Sequence, residues 1–171
     1  LAGQKGAIVV LDPKDSGVLA MVSTPSYDNN LFVDGISSED YKRLLNDPAR
    51  PLYSRATQGV YPPASTVKPF IAVAAQTENV ISQNTTIFDP GYWVLPNTTK
   101  RFRDWKKSGH GYTDLNKAIT ESSDTYFYQV AHSMGIDRLS DWMKRFGFGM
   151  PTGIEIQEET AANMPTREWK Q

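Results

Sequence analysis

Apolar residues along the first third of the chain fall into short runs separated by turn-forming residues. The β-branched run at 6–11 predicts a buried strand, and the second apolar run at 18–23 predicts a second strand. Because 12–17 supplies Asp, Pro and Gly, we expect the two strands to form an antiparallel hairpin. Residues 24–60 are rich in Pro, Asn, Asp and Ser, and they contain one predicted short helix capped by Ser38.

The rest of the chain is mostly helical in pattern. Residues 70–75 are apolar on all sides and predict that the helix from about Ser65 to Thr77 is buried. Residues 82–112 mix aromatic and turn residues, which predicts an irregular loop that can contain a hairpin. The tail at 153–156 predicts a short strand. Between that loop and the tail, apolar residues at helical spacing predict three helices, near 114–119, 127–134 and 139–146. Either Thr113 or Asp114 can cap the first of them.

Composition excludes several classes of function. A chain of 171 residues can hold one domain with a sizeable core. Its formal net charge of −1, with both signs mixed, lacks the basic excess typical of nucleic-acid binding. The absence of cysteine excludes disulfides, thiolate nucleophiles and cysteine-ligated metals. No apolar run reaches the roughly 18 residues that cross a bilayer. Neither end resembles a natural terminus, so we expect an internal piece of a larger protein.

The first candidate for chemistry is Ser65, the only serine with a lysine three residues further on. Pro69 is tolerated only near a helix start, so the predicted helix begins at or beside Ser65 and carries Lys68 on the same face. A serine needs an adjacent base to act as a nucleophile, and a buried lysine one turn away can be that base. The alternative is a helix-capping serine followed by a surface lysine.

A second polar group is Ser122-Ser123-Asp124, between two predicted helices. Taken alone, these residues are ordinary helix caps, with Asp124 capping the following helix. Taken with Ser65 and Lys68, they match a known motif order. A Ser-x-x-Lys motif, then Ser-x-Asn or a relative, then Lys-Thr-Gly is the set shared by penicillin-binding proteins and serine β-lactamases.

On these motifs and on longer segments, the chain resembles the transpeptidase domain of elongation-type class B penicillin-binding proteins. The resemblance implies an α/β fold of the α+β type, with an antiparallel sheet and helices on both sides. It also implies that residues 1–171 are the N-terminal part of that domain, without its third motif and C-terminal strands. The segments that carry the resemblance, besides the two motifs, are 6–13, 23–28, 55–63, 103–107 and 163–169.

The resemblance further implies a peptidoglycan D,D-transpeptidase that serves cell elongation and shape. Ser65 would attack the bond between the two terminal D-alanines of a stem peptide, and Lys68 would take its proton. Ser122 would relay a proton to the leaving amine, while Asp124 would hold Lys68 and Ser122. β-Lactams would acylate the same serine, and no cofactor would be needed. The implied partners are stem peptides and membrane proteins of the elongation machinery such as a glycosyltransferase. The implied location is the periplasmic face of the inner membrane, with an N-terminal anchoring helix outside this sequence.

Two departures from the family pattern affect these expectations. Asp124 stands where asparagine is more usual, and its negative charge favours the protonated form of Lys68 over the form that acts as a base. We expect neither form of the third motif, Lys-Thr-Gly or Lys-Ser-Gly, within these residues. We therefore expect that motif after Gln171 and regard the site in this piece as incomplete.

Two other functions stay open at this stage. A Ser-His-Asp hydrolase would have to use His110 or His132, and the chain has no Gly-x-Ser-x-Gly elbow. A penicillin-binding sensor domain would use Ser65 for acylation without transferring the acyl group. Transfer to an acceptor amine separates the sensor from the enzyme.

A metal site is a further hypothesis that the motifs do not require. Asp89, Asp104 and His110 lie in the irregular loop and are ligand types that suit Zn²⁺, with Ser123 expected nearby. The alternative is that Asp89 shapes a turn, Asp104 pairs with a neighbouring arginine and His110 is solvated. If a zinc ion is bound there, its role would be structural, holding the loop against the Ser122 segment.

Overall fold

The computed structural model describes Leu1 and residues 3–170, and these form two compact units. One unit comprises Leu1–Tyr61 with Gly153–Ala161, and the other comprises Pro62–Thr152 with Ala162–Gln171. Helices alternate with antiparallel strand pairs along the chain, as the sequence predicts for an α+β protein.

The first unit contains the predicted hairpin. Strands β1 (Gly6–Leu11) and β2 (Val18–Thr24) pair antiparallel, with a register irregularity between Val10 and Leu11. The prediction that β1 is buried is wrong, since most of its side chains are exposed and Leu11 is 52% exposed. A run that is apolar on both faces suits a strand covered on both sides. Two strands paired only with each other cannot cover both of their faces.

The remainder of the first unit is mostly irregular. A 3-10 turn at Asn29–Phe32 precedes helix α1 (Ser38–Asn46). The cap of α1 is Ser37 rather than the predicted Ser38, because the hydroxyl of Ser37 accepts the backbone N–H of Asp40. The predicted strand at 153–156 is also wrong, since this stretch pairs with no strand.

The second unit begins with the helix that follows Ser65. A 3-10 turn at Ala64–Val67 leads into α2 (Lys68–Thr77), whose first turn contains a proline. The predicted helix start beside Ser65 is therefore confirmed. The prediction of burial on all sides is wrong, because Phe70 is 38% and Val73 50% exposed. The buried residues of α2 are Lys68, Ala72, Ala74 and Ala75.

Three helices complete this unit, close to their predicted positions. They are α3 (Leu115–Thr120), α4 (Asp124–Met134) and α5 (Ile136–Arg145). Of the two predicted candidates, Asp114 caps α3, because its side chain accepts the backbone N–H of Lys117. Helices α2, α3 and α4 enclose the core, whose buried members are Ala72, Ala74, Ala75, Ile81, Leu115, Ala118, Tyr126, Phe127, Val130 and Met134.

The segment between α2 and α3 contains two nested antiparallel pairs, which confirms the predicted hairpin-bearing loop. Strand β3 (Ile87–Asp89) pairs with β6 (Gly111–Thr113). Between them along the chain, β4 (Tyr92–Val94) pairs with β5 (Arg101–Arg103). In the part of the chain that the structure describes, no helix combines the length and apolar character that crossing a membrane requires.

Gly109 has no room for a side chain where this segment folds back on itself. A Cβ there would overlap the carbonyl oxygen of Asp89 and the amide nitrogen of Gly91, and the φ angle of Gly109 is +73°. Gly111 is the matched control, because its φ is +69° but a Cβ would meet nothing within 4 Å. The left-handed backbone should cost about 1–2 kcal/mol in both alanine variants.

We expect Gly109→Ala to lower the free energy of unfolding by more than about 3 kcal/mol, because the backbone must also move apart. Gly111→Ala should lower the free energy of unfolding only by the cost of placing alanine in left-handed backbone. Denaturant unfolding of the full-length protein checks the difference. Equal losses in the two variants would show that the overlap at Gly109 is relieved without cost.

Candidate active site

Lys68 occupies the first position of α2 and is buried, with only 7% of the residue exposed. Its ammonium group lies 2.6 Å from Oδ1 of Asp124 and 3.0 Å from Oγ of Ser122. It also lies 2.7 Å from the carbonyl oxygen of Ser122. An ammonium group has three N–H donors, and these three acceptors use all of them. The structure therefore joins the Ser-x-x-Lys motif to the Ser122-x-Asp124 segment through one side chain.

Ser65 lies one turn before Lys68, in the 3-10 turn, and is exposed. Together with Lys68, Asp124 and Tyr128 it lines a cavity of about 450 Å³. The rest of the lining is mostly apolar: Ala64, Val67, Ile71, Phe127 and Ala131. An accessible hydroxyl beside a buried amine is the arrangement that nucleophilic catalysis by a serine needs.

Two residues with side chains adopt left-handed backbone next to these groups. Ala64 has a φ of +50° and directly precedes Ser65, and Ser122 has a φ of +55°. Non-glycine residues rarely adopt this region, and such strain concentrates at functional sites. At Ser122 the unusual backbone ends the turn after α3 so that both its hydroxyl and its carbonyl oxygen contact Lys68.

At the start of α4, one residue caps the helix and the next residue forms an ion pair. Ser123, not Asp124, caps the helix by accepting the backbone N–H of Tyr126. Asp124 is therefore the first helical residue, and its carboxylate is available for Lys68. The alternative in which Asp124 caps this helix is wrong, because the cap position falls one residue earlier.

A second group of polar residues, the buried polar cluster, consists of Asp89, Asp104, His110 and Ser123. Nδ1 of His110 lies 2.6 Å from Oδ2 of Asp89 and 3.7 Å from Oδ1 of Asp104. The hydroxyl of Ser123 donates to Asp89 at 3.0 Å and to Asp104 at 3.3 Å. One donor atom from each of Asp89, Asp104 and His110 lies within 4.8 Å of the others. The three residues that the sequence singles out thus meet around one point.

The electrostatics of the cluster are unusual for a protein interior. Burial favours the neutral form of Asp89, but hydrogen bonds from His110, the Gly91 amide and Ser123 hold the pKa of Asp89 below its ordinary value. Within the described residues, neither Asp89 nor Asp104 forms an ion pair with a lysine or arginine. Nε2 of His110 is buried without a hydrogen-bond partner and lies 3.7 Å from a carboxylate oxygen of Glu121.

The buried polar cluster and the neighbouring Trp105 hold the residues on the two sides of Ser122. On one side, Ser123 binds two carboxylates and the backbone N–H of Thr125 donates to Asp104 at 2.8 Å. On the other side, the indole Nε1 of Trp105 donates to the carbonyl oxygen of Glu121 at 3.1 Å. These contacts fix the loop at 104–110 against the Ser122 turn and so help to set the position of Ser122.

Sequence reasoning missed Tyr128, which is one turn after Asp124 on α4 and lines the Ser65 cavity. Burial, together with the negative charges of Asp124 and Asp104, raises the pKa of the Tyr128 hydroxyl above its ordinary value. The group therefore remains an uncharged hydrogen-bond donor at neutral pH. Its i+4 spacing from Asp124 on a helix that was already predicted is the signal that could have found it.

The histidines do not support a Ser-His-Asp hydrolase. The ring of His132 packs against Trp93, with centroids 5.2 Å apart, and His110 belongs to the buried polar cluster. Neither lies among the residues that line the Ser65 cavity. Ser123, which shares Asp89 with His110, is completely buried and cannot meet a substrate.

A Lys-Ser-Gly tripeptide does occur, at 107–109, contrary to the expectation that these residues hold no form of the third motif. The structure places it in the turn after β5 rather than on a strand. A motif in a turn cannot present the strand edge that the third motif supplies in this family, so the match is one of letters only.

Comparison with known proteins agrees with this geometry. The sequence profile of the penicillin binding protein transpeptidase domain matches residues 6–171. The chain therefore belongs to the penicillin-binding protein transpeptidase family. It is 91% identical over 171 residues to the peptidoglycan D,D-transpeptidase MrdA of Haemophilus influenzae. The match covers 100% of this chain but 26% of that relative, so the chain spans about a quarter of its length.

Solved structures show the same fold. The chain matches Pseudomonas aeruginosa PBP2 in complex with WCK 5153 with a TM-score of 0.94 and 50% identity, covering 99% of this chain and 38% of that one. It matches PBP2 in the complex with MreC from Helicobacter pylori with a TM-score of 0.93 and 37% identity, covering 99% of this chain and 31% of that one. The predicted family and its elongation-type subclass are confirmed.

Proposed function

We propose that the protein is a peptidoglycan D,D-transpeptidase of the elongation type and a target of β-lactams. The observation that carries the proposal is the ammonium group of Lys68, which joins Ser122 and Asp124 beside the cavity that Ser65 lines. The activity named for the Haemophilus influenzae relative supports the same conclusion.

In the proposed reaction, Ser65 Oγ attacks the carbonyl carbon of the penultimate D-alanine. Lys68 acts as the neutral amine, after releasing one proton to solvent, and takes the proton of Ser65. As the tetrahedral intermediate collapses, Ser122 passes its proton to the nitrogen of the leaving D-alanine and receives in turn the proton that Lys68 had taken. The amine of a second stem peptide then attacks the Ser65 ester, which forms the cross-link and returns the serine. Asp124 holds Lys68 and through it Ser122 in position.

The test is turnover by the full-length protein with a stem peptide ending in D-Ala-D-Ala and a separate acceptor amine. The enzyme should release D-alanine and form the cross-linked product. Acylation by a β-lactam without either product would contradict the proposal and identify a penicillin-binding sensor instead.

We propose further that the full-length protein acts at the periplasmic face of the inner membrane, among the membrane proteins of the elongation machinery. The support is the Helicobacter pylori structure in which a relative of this chain is bound to MreC. A glycosyltransferase that polymerises the glycan strands is the second expected partner, since the cross-linking reaction consumes its product.

We also infer that the buried polar cluster binds Zn²⁺ through Asp89, Asp104 and His110. Two carboxylates with no exposed side-chain surface face a single histidine, and burying like charges together is costly without a cation. Nitrogen and oxygen ligands at this separation suit zinc, whereas Ser123 is a poor ligand and serves as a hydrogen-bond donor. The ion would hold the loop at 104–110 against the Ser122 turn and supply no step of the reaction.

Full-length protein purified without a histidine tag and supplemented with zinc should therefore contain close to one zinc per chain by elemental analysis. The His110→Ala variant should lose the metal and melt at a lower temperature. His132→Ala is the matched control, because it removes a histidine outside the cluster and should keep the metal. A metal content near zero in the unmodified protein would exclude the site.

A further inference from the structure

A strongly basic segment runs from the end of the β4–β5 hairpin into the loop that follows it. We call Lys100, Arg101, Arg103, Lys106 and Lys107 the basic segment. These five cations fall within eight consecutive residues of a chain whose formal net charge is −1. Such a local excess of one sign produces a positive potential that the overall balance of charge does not reveal.

Most of these cations lack an acidic partner. In the residues that the structure describes, only Lys106 lies within ion-pair distance of a carboxylate, at 3.6 Å from Glu121. The other four are exposed, and no carboxylate of the described part of the chain lies within 4.0 Å of their charged groups. Their charge is therefore available to a ligand in solution.

Aromatic side chains hold two of the free cations in place. The guanidinium of Arg101 lies 4.7 Å from the centre of the Tyr92 ring, and the ammonium of Lys100 lies 5.1 Å from that of Phe102. A cation over an aromatic face is attracted to the ring but keeps its full charge. These contacts reduce the side-chain freedom that binding an anion would otherwise remove.

Tyr128 lies between the basic segment and the Ser65 cavity and contacts both. The rings of Phe102 and Tyr128 pack with centroids 5.8 Å apart, and the Tyr128 hydroxyl donates to the carbonyl oxygen of Arg103 at 3.5 Å. Tyr128 itself lines the cavity beside Asp124. The hairpin therefore borders the cavity on the side of α4.

We propose that the basic segment binds the carboxylates of an acidic peptide whose D-Ala-D-Ala end lies in the Ser65 cavity. The inference rests on the proposed function and specifies how the substrate is selected. A stem peptide is an anion with carboxylates beyond its reacting bond. In the part of the chain that the structure describes, Lys68 is the one cation of the cavity lining, and its three N–H donors are already used. The exposed arginines and lysines of the basic segment can pair with the peptide carboxylates, as a rim outside the chemistry.

The test reverses two charges in the full-length protein, with Arg101→Glu/Arg103→Glu as the variant. The control is Lys14→Glu/Lys42→Glu, which changes the net charge equally at exposed lysines of the other unit. At low ionic strength the hairpin variant should lose roughly tenfold in kcat/KM for the stem peptide, and the loss should shrink with added salt. Acylation by a small β-lactam should be unchanged in both variants.

A third arm uses a stem peptide whose side carboxylates are amidated, for which the hairpin variant and the unmodified protein should have the same kcat/KM. An equal loss of kcat/KM in the hairpin variant and in the control variant would overturn the inference. A loss of kcat/KM in the hairpin variant that persists with the amidated peptide would overturn it as well. So would unchanged peptide turnover with lost binding to vesicles of anionic phospholipid, which would assign the segment to the membrane surface. If the unmodified protein transfers no acyl group, the proposed function is contradicted instead. The affinity of the hairpin variant and of the unmodified protein for the stem peptide, measured directly, then tests whether the basic segment binds it.

Discussion

The Ser65→Ala variant of the full-length protein should form no covalent adduct with a β-lactam, whereas the unmodified protein should gain the mass of the drug. Ser65 is the exposed hydroxyl of the cavity that Lys68 and Asp124 also line. Removing it removes the atom to which the acyl group is attached, so the loss should be complete rather than partial. Intact-protein mass spectrometry, followed by peptide mapping, gives the measurement.

The fold should survive this substitution, because Ser65 is exposed and packs no core residue. Ser133→Ala serves as the control, since it removes a serine hydroxyl from the far end of α4 and should leave acylation intact. An adduct on the Ser65→Ala protein, or one that maps to Ser122 in the unmodified protein, would assign the nucleophile elsewhere.

Replacement of Lys68 should give the second largest effect. Lys68→Ala should slow β-lactam acylation by about 10²–10⁴-fold, the usual contribution of a positioned general base. Lys68→Arg should be nearly as slow, because a guanidinium keeps its proton in proteins. Stopped-flow acylation rates measure both variants, and Lys42→Arg on α1 is the control for a lysine-to-arginine change.

Stability must be followed in the same variants, because Lys68 is buried and its loss leaves Asp124 without its cation. Lys68→Arg keeps that charge pairing, so a slow arginine variant with near-normal melting isolates the proton transfer from the fold. Normal acylation by Lys68→Arg would mean that Lys68 acts as a fixed charge, and the proposed proton path would be wrong.

Much of the local structure could be predicted from the chain. Turn residues between two apolar runs placed the first hairpin, and helical spacing placed α3, α4 and α5 close to their observed bounds. These features depend on interactions between near neighbours, such as capping by Asp114 and the start of α2 beside Pro69. Burial was predicted less well, because whether an apolar run is covered depends on elements far away in sequence.

In the candidate site too, local features could be predicted from the sequence, whereas features that depend on distant residues could not. Spacing alone put Ser65 and Lys68 on one helix face, since a turn of helix separates residues by a fixed distance. Spacing could not show that Ser122 adopts left-handed backbone, or that Ser123 rather than Asp124 caps α4. Tyr128 was missed for a related reason, because a tyrosine at core spacing does not reveal that it faces a cavity.

The sequence by itself determined the family, through its resemblance to known members. It also placed Ser65 and Lys68, the candidate nucleophile and base, at a short, fixed separation on one helix face. Only the tertiary structure decided which distant groups meet. It joined Lys68 to Ser122 and Asp124. It also brought Asp89, Asp104 and His110 around one point and placed the basic segment beside Tyr128. The physical reason is that these contacts bridge long separations along the chain. Helix packing around a shared core, rather than local conformational preference, brings their partners together.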